Sequence, residues 1–242
     1  MPRKYQSSKT KKINSAALIN LSYHFLWLCF LAAVLLAFLF ILLPLLLGRK
    51  KEGEGTLGIA LSLYFILLGF NFMLFEISFL QVLSLYLESR VYSLSFILAI
   101  FLSFTGLGSL HSLYVYKRLK ERFFASIFVL ICFYGLFLTF ANIYFREFLL
   151  SLIFPLRLSL LFIFLAPLAY LLGIPFMYAF HYLEDKGLLS SKLISSAWAV
   201  NGFFSVIGAL GAKLFCIHLG FTVSLSLAAS LYLLAWIFLR KA

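Results

Sequence analysis

The stretch LGIALSLYFILLGFNFMLFEISFLQVLSLYL, residues 57–87, decides the fold: its 31 positions carry one charge, Glu76. A membrane-spanning helix takes about 20 consecutive apolar residues at a rise of 1.5 Å each. This run therefore has the length to cross a bilayer and end in its interfaces. The rest of the chain has the same character. Of 242 residues, 64% are hydrophobic and 12% charged, against about 45–50% and roughly 25% in a soluble domain. Phe alone supplies 30 residues, mostly within long apolar runs, where it serves as lipid-facing and packing surface.

Working outward from that stretch, six more runs qualify, giving spans at Leu21–Leu47, Leu57–Leu87, Val91–Tyr116, Phe123–Tyr144, Leu158–Tyr182, Ser195–Leu219 and Phe221–Leu239. The separators are a charged, Gly-rich break at Gly48–Gly55, a turn at Glu88–Arg90, a basic break at Lys117–Arg122, a polar link at Glu184–Lys192 containing Gly187, and Gly220. Phe145–Arg157 holds Arg146, Glu147, Pro155 and Arg157 among apolar residues, the pattern of an interfacial helix leading into the fifth span. The expected fold is all-α: a polytopic transmembrane helix bundle of about seven spans. Its parts are a basic polar tail (1–20), a transmembrane helical domain (21–239) and a short basic end (240–242). The first run is nearly twice a signal-peptide core in length and lacks a small-x-small site before Gly48, so it reads as a permanent span.

Seven spans place the termini on opposite faces. Lys and Arg divide 8 to 11 between the face of the N-terminus and the other face, so the positive-inside rule chooses neither orientation. The net charge of +12 is gathered at Arg3–Lys12, Arg49–Lys51 and Lys117–Arg122. These are juxtamembrane patches for an anionic leaflet rather than a nucleic-acid face. Cys29, Cys132 and Cys216 lie inside apolar runs and read as small hydrophobes. His24, His111, His181 and His218 lie on different spans, so no metal site is expected. Neither a nucleophile–base pair nor a pair of carboxylates is evident, so no catalytic residue is assigned and no cofactor expected.

Two stretches are more specific than hydropathy. The first runs from Tyr64-Phe65 through Gly69, Phe72-Met73, Glu76 and Gln81 to Gly106-Leu-Gly-Ser109. The second is Gly173-Ile-Pro-Phe176 followed by Trp198, Asn201-Gly202, Ser205 and Gly208. In order and spacing they resemble the membrane half of the spermidine-synthase-like bacterial membrane proteins, and Pro44–Gly48 at the end of the first run looks similar too. The resemblance implies a multi-pass protein of the bacterial inner membrane, a lipid bilayer as its surroundings, and a soluble spermidine-synthase-like protein or a second copy of the chain as partner. In that family a catalytic, S-adenosylmethionine-binding domain would precede the first span, where this chain has a 20-residue polar tail. With one Asp and seven Glu and no Gly-rich strand–turn–helix unit, the aminopropyl-transfer chemistry is not expected of this chain.

Among individual residues Glu76 leads. A carboxylate deep in a span costs about 2.5–3.5 kcal/mol on insertion scales, and such residues face the bundle interior and mark ion, proton or ligand paths. Asn71 and Gln81 flank it on the same helix, as polar capacity or helix–helix glue. Lys213 is its expected partner, because an even number of crossings makes spans two and six parallel, unless it snorkels to the interface. Asn201 and Ser205 share a helix face and form a packing surface or a polar notch towards Glu76. Gly106, Gly108, Gly202, Gly208 and Ala212 are read as helix-packing positions. Two functions follow as expectations: a membrane module of unknown specific role working with a soluble partner, or a transporter- or channel-like subunit in which Glu76 couples transport. A membrane enzyme acting on a lipid-soluble substrate is the weakest of the readings.

Overall fold

The structure, a computed structural model, describes residues 3–39 and 58–241. It consists of α1 (Arg3–Ala37), α2 (Ile59–Tyr86), α3 (Arg90–Tyr144), α4 (Arg146–Ser151), α5 (Phe154–Asp185), α6 (Ser191–His218) and α7 (Gly220–Lys241). Among the described residues the fold is an all-helical polytopic bundle, with seven segments long and apolar enough to cross a membrane. Of the tail set apart in the sequence as residues 1–20, the described part, from Arg3 onward, is not separated from the first span in the backbone, since α1 is helical throughout. The Pro44–Gly48 end and the Gly48–Gly55 break lie outside the described residues.

The junctions follow local chemistry. Ser89 and Ser190 sit in extended backbone at the N-caps of α3 and α6, where their side chains accept from Tyr92 N and Leu193 N. Pro155 stands in the first turn of α5, where its missing N–H leaves no helical bond unmade. Gly187 and Gly220 take left-handed φ values of 68° and 83° at the links before α6 and α7. The ambiguous Phe145–Arg157 segment resolves into the six-residue α4, exposed at Arg146 and Glu147, and the opening turn of α5.

Helix α3 carries two spans, Arg90–Arg118 and Ala125–Tyr144. Its 55 residues would measure about 82 Å if straight, far beyond one bilayer core of about 30 Å. The contacts exclude a straight course. Tyr92, Phe104 and Tyr116 meet Phe154, Phe162 and Tyr178 in ascending order along α5. The second half descends. Phe128 packs on Tyr64, whose hydroxyl bonds the Pro175 carbonyl, and Asn142 meets Tyr86, whose carbonyl is held by Arg157. The two halves are therefore antiparallel, and the chain reverses between Tyr116 and Phe128, where the basic break Lys117–Arg122 lies.

Helix α2 is the central element and packs on α6, α7 and α3. Its pairing with α6 is parallel: Gly69 lies at Asn201 and Ser205, and Ser78 at Cys216. Its pairing with α7 is antiparallel, with Phe75 against Tyr232 and Ser78 against Ser224. Helix α1 docks on α6 through Ala33, Ala37 and Ile207 and through a 2.9 Å hydrogen bond between the Tyr23 hydroxyl and His218 Nε2. Helix α5 contains Pro167 and Pro175 and receives side-chain donors from its neighbours: Tyr134 on the Phe164 carbonyl, Ser109 on Gly173 and Tyr64 on Pro175. Neighbouring helices supply such bonds around a proline inside a membrane.

Candidate functional site

The polar residues of α2 define the candidate site. Glu76 is 6% exposed and Asn71 fully buried, while Gln81 is half-buried with its amide nitrogen inside. Among the described residues neither amide atom of Asn71, nor the Gln81 Nε2, has a hydrogen-bond partner. The two ion pairs among the described residues are Arg157–Glu88 at 3.9 Å and His181–Glu184 at 3.9 Å, so Glu76 joins neither.

Helix geometry separates these groups. At about 100° per residue, Asn71 and Glu76 point about 140° apart, as do Glu76 and Gln81, and Asn71 and Gln81 about 80° apart. Asn71 shares the face of Phe75 and Ser78, which packs on α7. Glu76 lies between the Gly69 face, packed on α6, and the Phe72–Phe79 face, packed on Phe101 in the first half of α3. The expected single polar centre is therefore not formed: three polar side chains leave one helix in different directions. Ser78 is the polar residue of this helix that α7 satisfies, through a 2.7 Å hydrogen bond with Ser224, and Cys216 donates to it at 3.5 Å.

The expected partner of Glu76 also fails. Lys213 is exposed and forms no ion pair among the described residues. The reason is angular. Gly208 and Ala212 are buried positions of α6, and the residue after Ala212 is turned about 100° away from it. The lysine stem thus runs along the outside of the bundle. Asn201 and Ser205 do meet α2, but at Gly69, where the Ser205 hydroxyl is occupied by the Asn201 carbonyl at 2.8 Å. Gly69 is seven residues from Glu76, about 10 Å along the axis, so this pair is packing surface rather than a notch for the acid.

The small residues divide. Gly108 lies against the Tyr170 carbonyl and Gly173 against Thr105, so that a methyl group at either position would overlap backbone. Gly208 sits on Phe70, and Ala212 is fully buried. Gly106 and Gly202 face open space, so their expected packing role is corrected. Gly106 is turned about 160° around its helix from the packed Gly108, and Gly202 about 120° from the packed Gly208.

Two arrangements join residues whose partners the sequence does not show. Arg157 is buried and donates to the carbonyls of Tyr86 at 2.6 Å and of Leu150 and Leu152 at 2.9 Å, tying the end of α2 to the α4–α5 link. At the opposite end of α5, His181 Nε2 lies 3.3 Å from Ser112 Oγ, and the Tyr116 hydroxyl donates to Asp185 at 2.5 Å. Ser112 does not form a nucleophile–base pair there. It is buried and already donates to the Ser109 carbonyl at 2.6 Å, which leaves its oxygen accepting from His181.

No protein-family model, curated protein or solved structure matches this chain.

Proposed function

We propose that this chain is a membrane module of the bacterial inner membrane that works beside a separate soluble protein of the spermidine-synthase type. One observation carries the reading: the two sequence stretches on which the resemblance rests meet in the fold as one connected frame. Gly69 lies on Asn201 and Ser205, Phe70 on Gly208, and Gly108 and Thr105 on Tyr170 and Gly173. Tyr64 bonds Pro175, and Phe65 and Trp198 both pack on Phe176. Residues used in this way hold helices at fixed separations and perform no chemistry themselves, as suits a platform. Co-expression with a soluble spermidine-synthase-like protein encoded beside it tests the reading. That protein should sediment with membranes when the chain is present and stay in the supernatant when it is not. Recovery in the supernatant in both cases would refute the proposal.

A second reading rests on Glu76. It is buried, has no partner among the described residues, and lies on the side of α2 between α6 and the first half of α3. Contact between α3 and α6 is slight. An unneutralised acid beside a seam between helices fits a transporter- or channel-like subunit with Glu76 as its coupling group. Cation or proton flux into proteoliposomes that is abolished by Glu76→Gln would support it, and flux indifferent to that change would sink it.

A further inference from the structure

A cavity of about 320 Å³ opens through the side of the bundle where α2 ends, between α2, the second half of α3, α4 and the beginning of α5. Its interior is hydrocarbon from Val82, Leu83 and Leu161. Its mouth is set by Phe137, Phe148 and Phe164, which line it yet remain 50%, 55% and 39% exposed. The volume lies at the small end of ligand pockets, about 300–1,000 Å³. Water would find too few polar partners inside. The exception is one end, where the Tyr86 hydroxyl donates to Asn142 Oδ1.

That end is also cationic. Arg157 is bonded to the Tyr86 carbonyl, one turn before the cavity-lining Leu160 and Leu161, and its Nε has no partner among the described residues. Arg146, exposed at the start of α4, directly follows Phe145, which lines the cavity. Arg90 stands at the same end of the bundle. Glu88, 3.9 Å from Arg157, and the exposed Glu147 offset two of these three charges and leave one in excess.

We propose that this cavity binds one acyl chain of an anionic phospholipid, with the lipid phosphate placed at the membrane surface between Arg146 and the Tyr86–Asn142 pair. The apolar cavity accounts for the chain, and the excess positive charge at its polar end for an anionic head group. An Arg guanidinium suits phosphate because it offers paired, charged donors. The site is independent of the proposed soluble partner.

Native mass spectrometry of the full chain in detergent, titrated with phosphatidylglycerol or phosphatidylcholine of equal chain length, tests the proposal. The first phosphatidylglycerol should bind at least tenfold more tightly than phosphatidylcholine. Arg146→Gln, at an exposed position, should bring the two lipids to within about twofold of each other. Ala141→Leu, which adds bulk to the cavity wall, should weaken both. Should that variant not fold, Phe148→Ala at the exposed mouth should weaken both as well. Equal affinity of the wild-type chain for the two lipids would overturn the proposal. So would phosphatidylglycerol binding unchanged in the cavity variants, the result expected of a general lipid annulus.

Discussion

Gly69 of α2 and Asn201 of α6 meet backbone to backbone: the α-carbon of the first lies so close to the carbonyl of the second that no side chain fits between. Gly208 makes the reciprocal approach to Phe70, where an added Cβ would stand 2.5 Å from the carbonyl oxygen. In hydrocarbon there is little hydrophobic force between helices, so close approach of this kind, with the dispersion contacts it permits, is what holds α2 and α6 together.

Gly69→Ala and Gly208→Ala should therefore each destabilise the bundle by about 1–3 kcal/mol, the usual cost of overpacking a filled interior. Gly202→Ala and Gly106→Ala meet open space and should be neutral or slightly stabilising, since alanine is the better helix former. Thermal denaturation followed by size-exclusion of the detergent-solubilised chain reads both. Equal loss at Gly69 and Gly202 would contradict the close crossing.

Arg157 makes a different kind of joint. Its three hydrogen bonds reach two separate elements, the last residue of α2 and the segment that ends α4 and leads into α5. Hydrogen bonds to a charged group contribute about 1.5–3 kcal/mol each in mutational series, without being additive. Arg157→Ala should lower stability by about 3 kcal/mol or more and expose the α4 region to limited proteolysis. Arg157→Lys should recover only part, because an ammonium lacks the planar fork that serves two directions at once. Cleavage at α4 no faster in Arg157→Ala than in wild type would show that the tie is not structural.

Much of the architecture is legible in the sequence because a bilayer imposes one simple requirement, a run of apolar residues of fixed length. The long helices and the parallel relation of α2 and α6 follow from run lengths and parity alone. The angular facts are not legible in that way. The apolar faces of a membrane helix differ little whether they meet lipid or protein, so hydropathy does not reveal that Lys213 points outward while Ala212, its neighbour, is fully buried. Glycines are equally mute: Gly108 and Gly106 stand two residues apart, and only the course of α5 decides that the first is packed. Arg157 carries a visible signal, a charge at the edge of an apolar run, but its acceptors are backbone carbonyls, which every sequence possesses.

The reversal within α3 gives a topological prediction. With α3 folded into two antiparallel spans, an odd number of crossings places the termini in different compartments. Reporter fusions after residue 242 and before residue 1 should report opposite sides. Single-cysteine variants Tyr92→Cys and Tyr144→Cys, both at exposed positions, should react with an impermeant thiol reagent from the same side. Labelling of the two variants from opposite sides would require an unbroken α3 and reject the fold.

Asn71 and Glu76 supply the last prediction. Were Glu76 paired with Lys213 or with the Asn201–Ser205 face, as the sequence leads one to expect, Glu76→Gln would be tolerated better than Glu76→Leu, because glutamine keeps hydrogen bonds. In the fold no described residue receives those bonds, so the order should invert. Glu76→Leu removes a charge from a costly position and leaves no donor stranded, so it should match or exceed the wild type in melting temperature. Glu76→Gln should lie at or below it, having kept a buried amide in place of the acid. The same reasoning applies more strongly to Asn71, which is fully buried with both amide atoms unpartnered among the described residues. Asn71→Leu, similar in length, should stabilise by about 1–3 kcal/mol, the range of the desolvation cost that an unsatisfied buried polar group carries. Denaturation of the variants in one detergent decides the matter. A clear loss of stability in both leucine variants would mean that these groups are satisfied in the membrane by water or a ligand, and that the site on α2 is occupied in the resting protein.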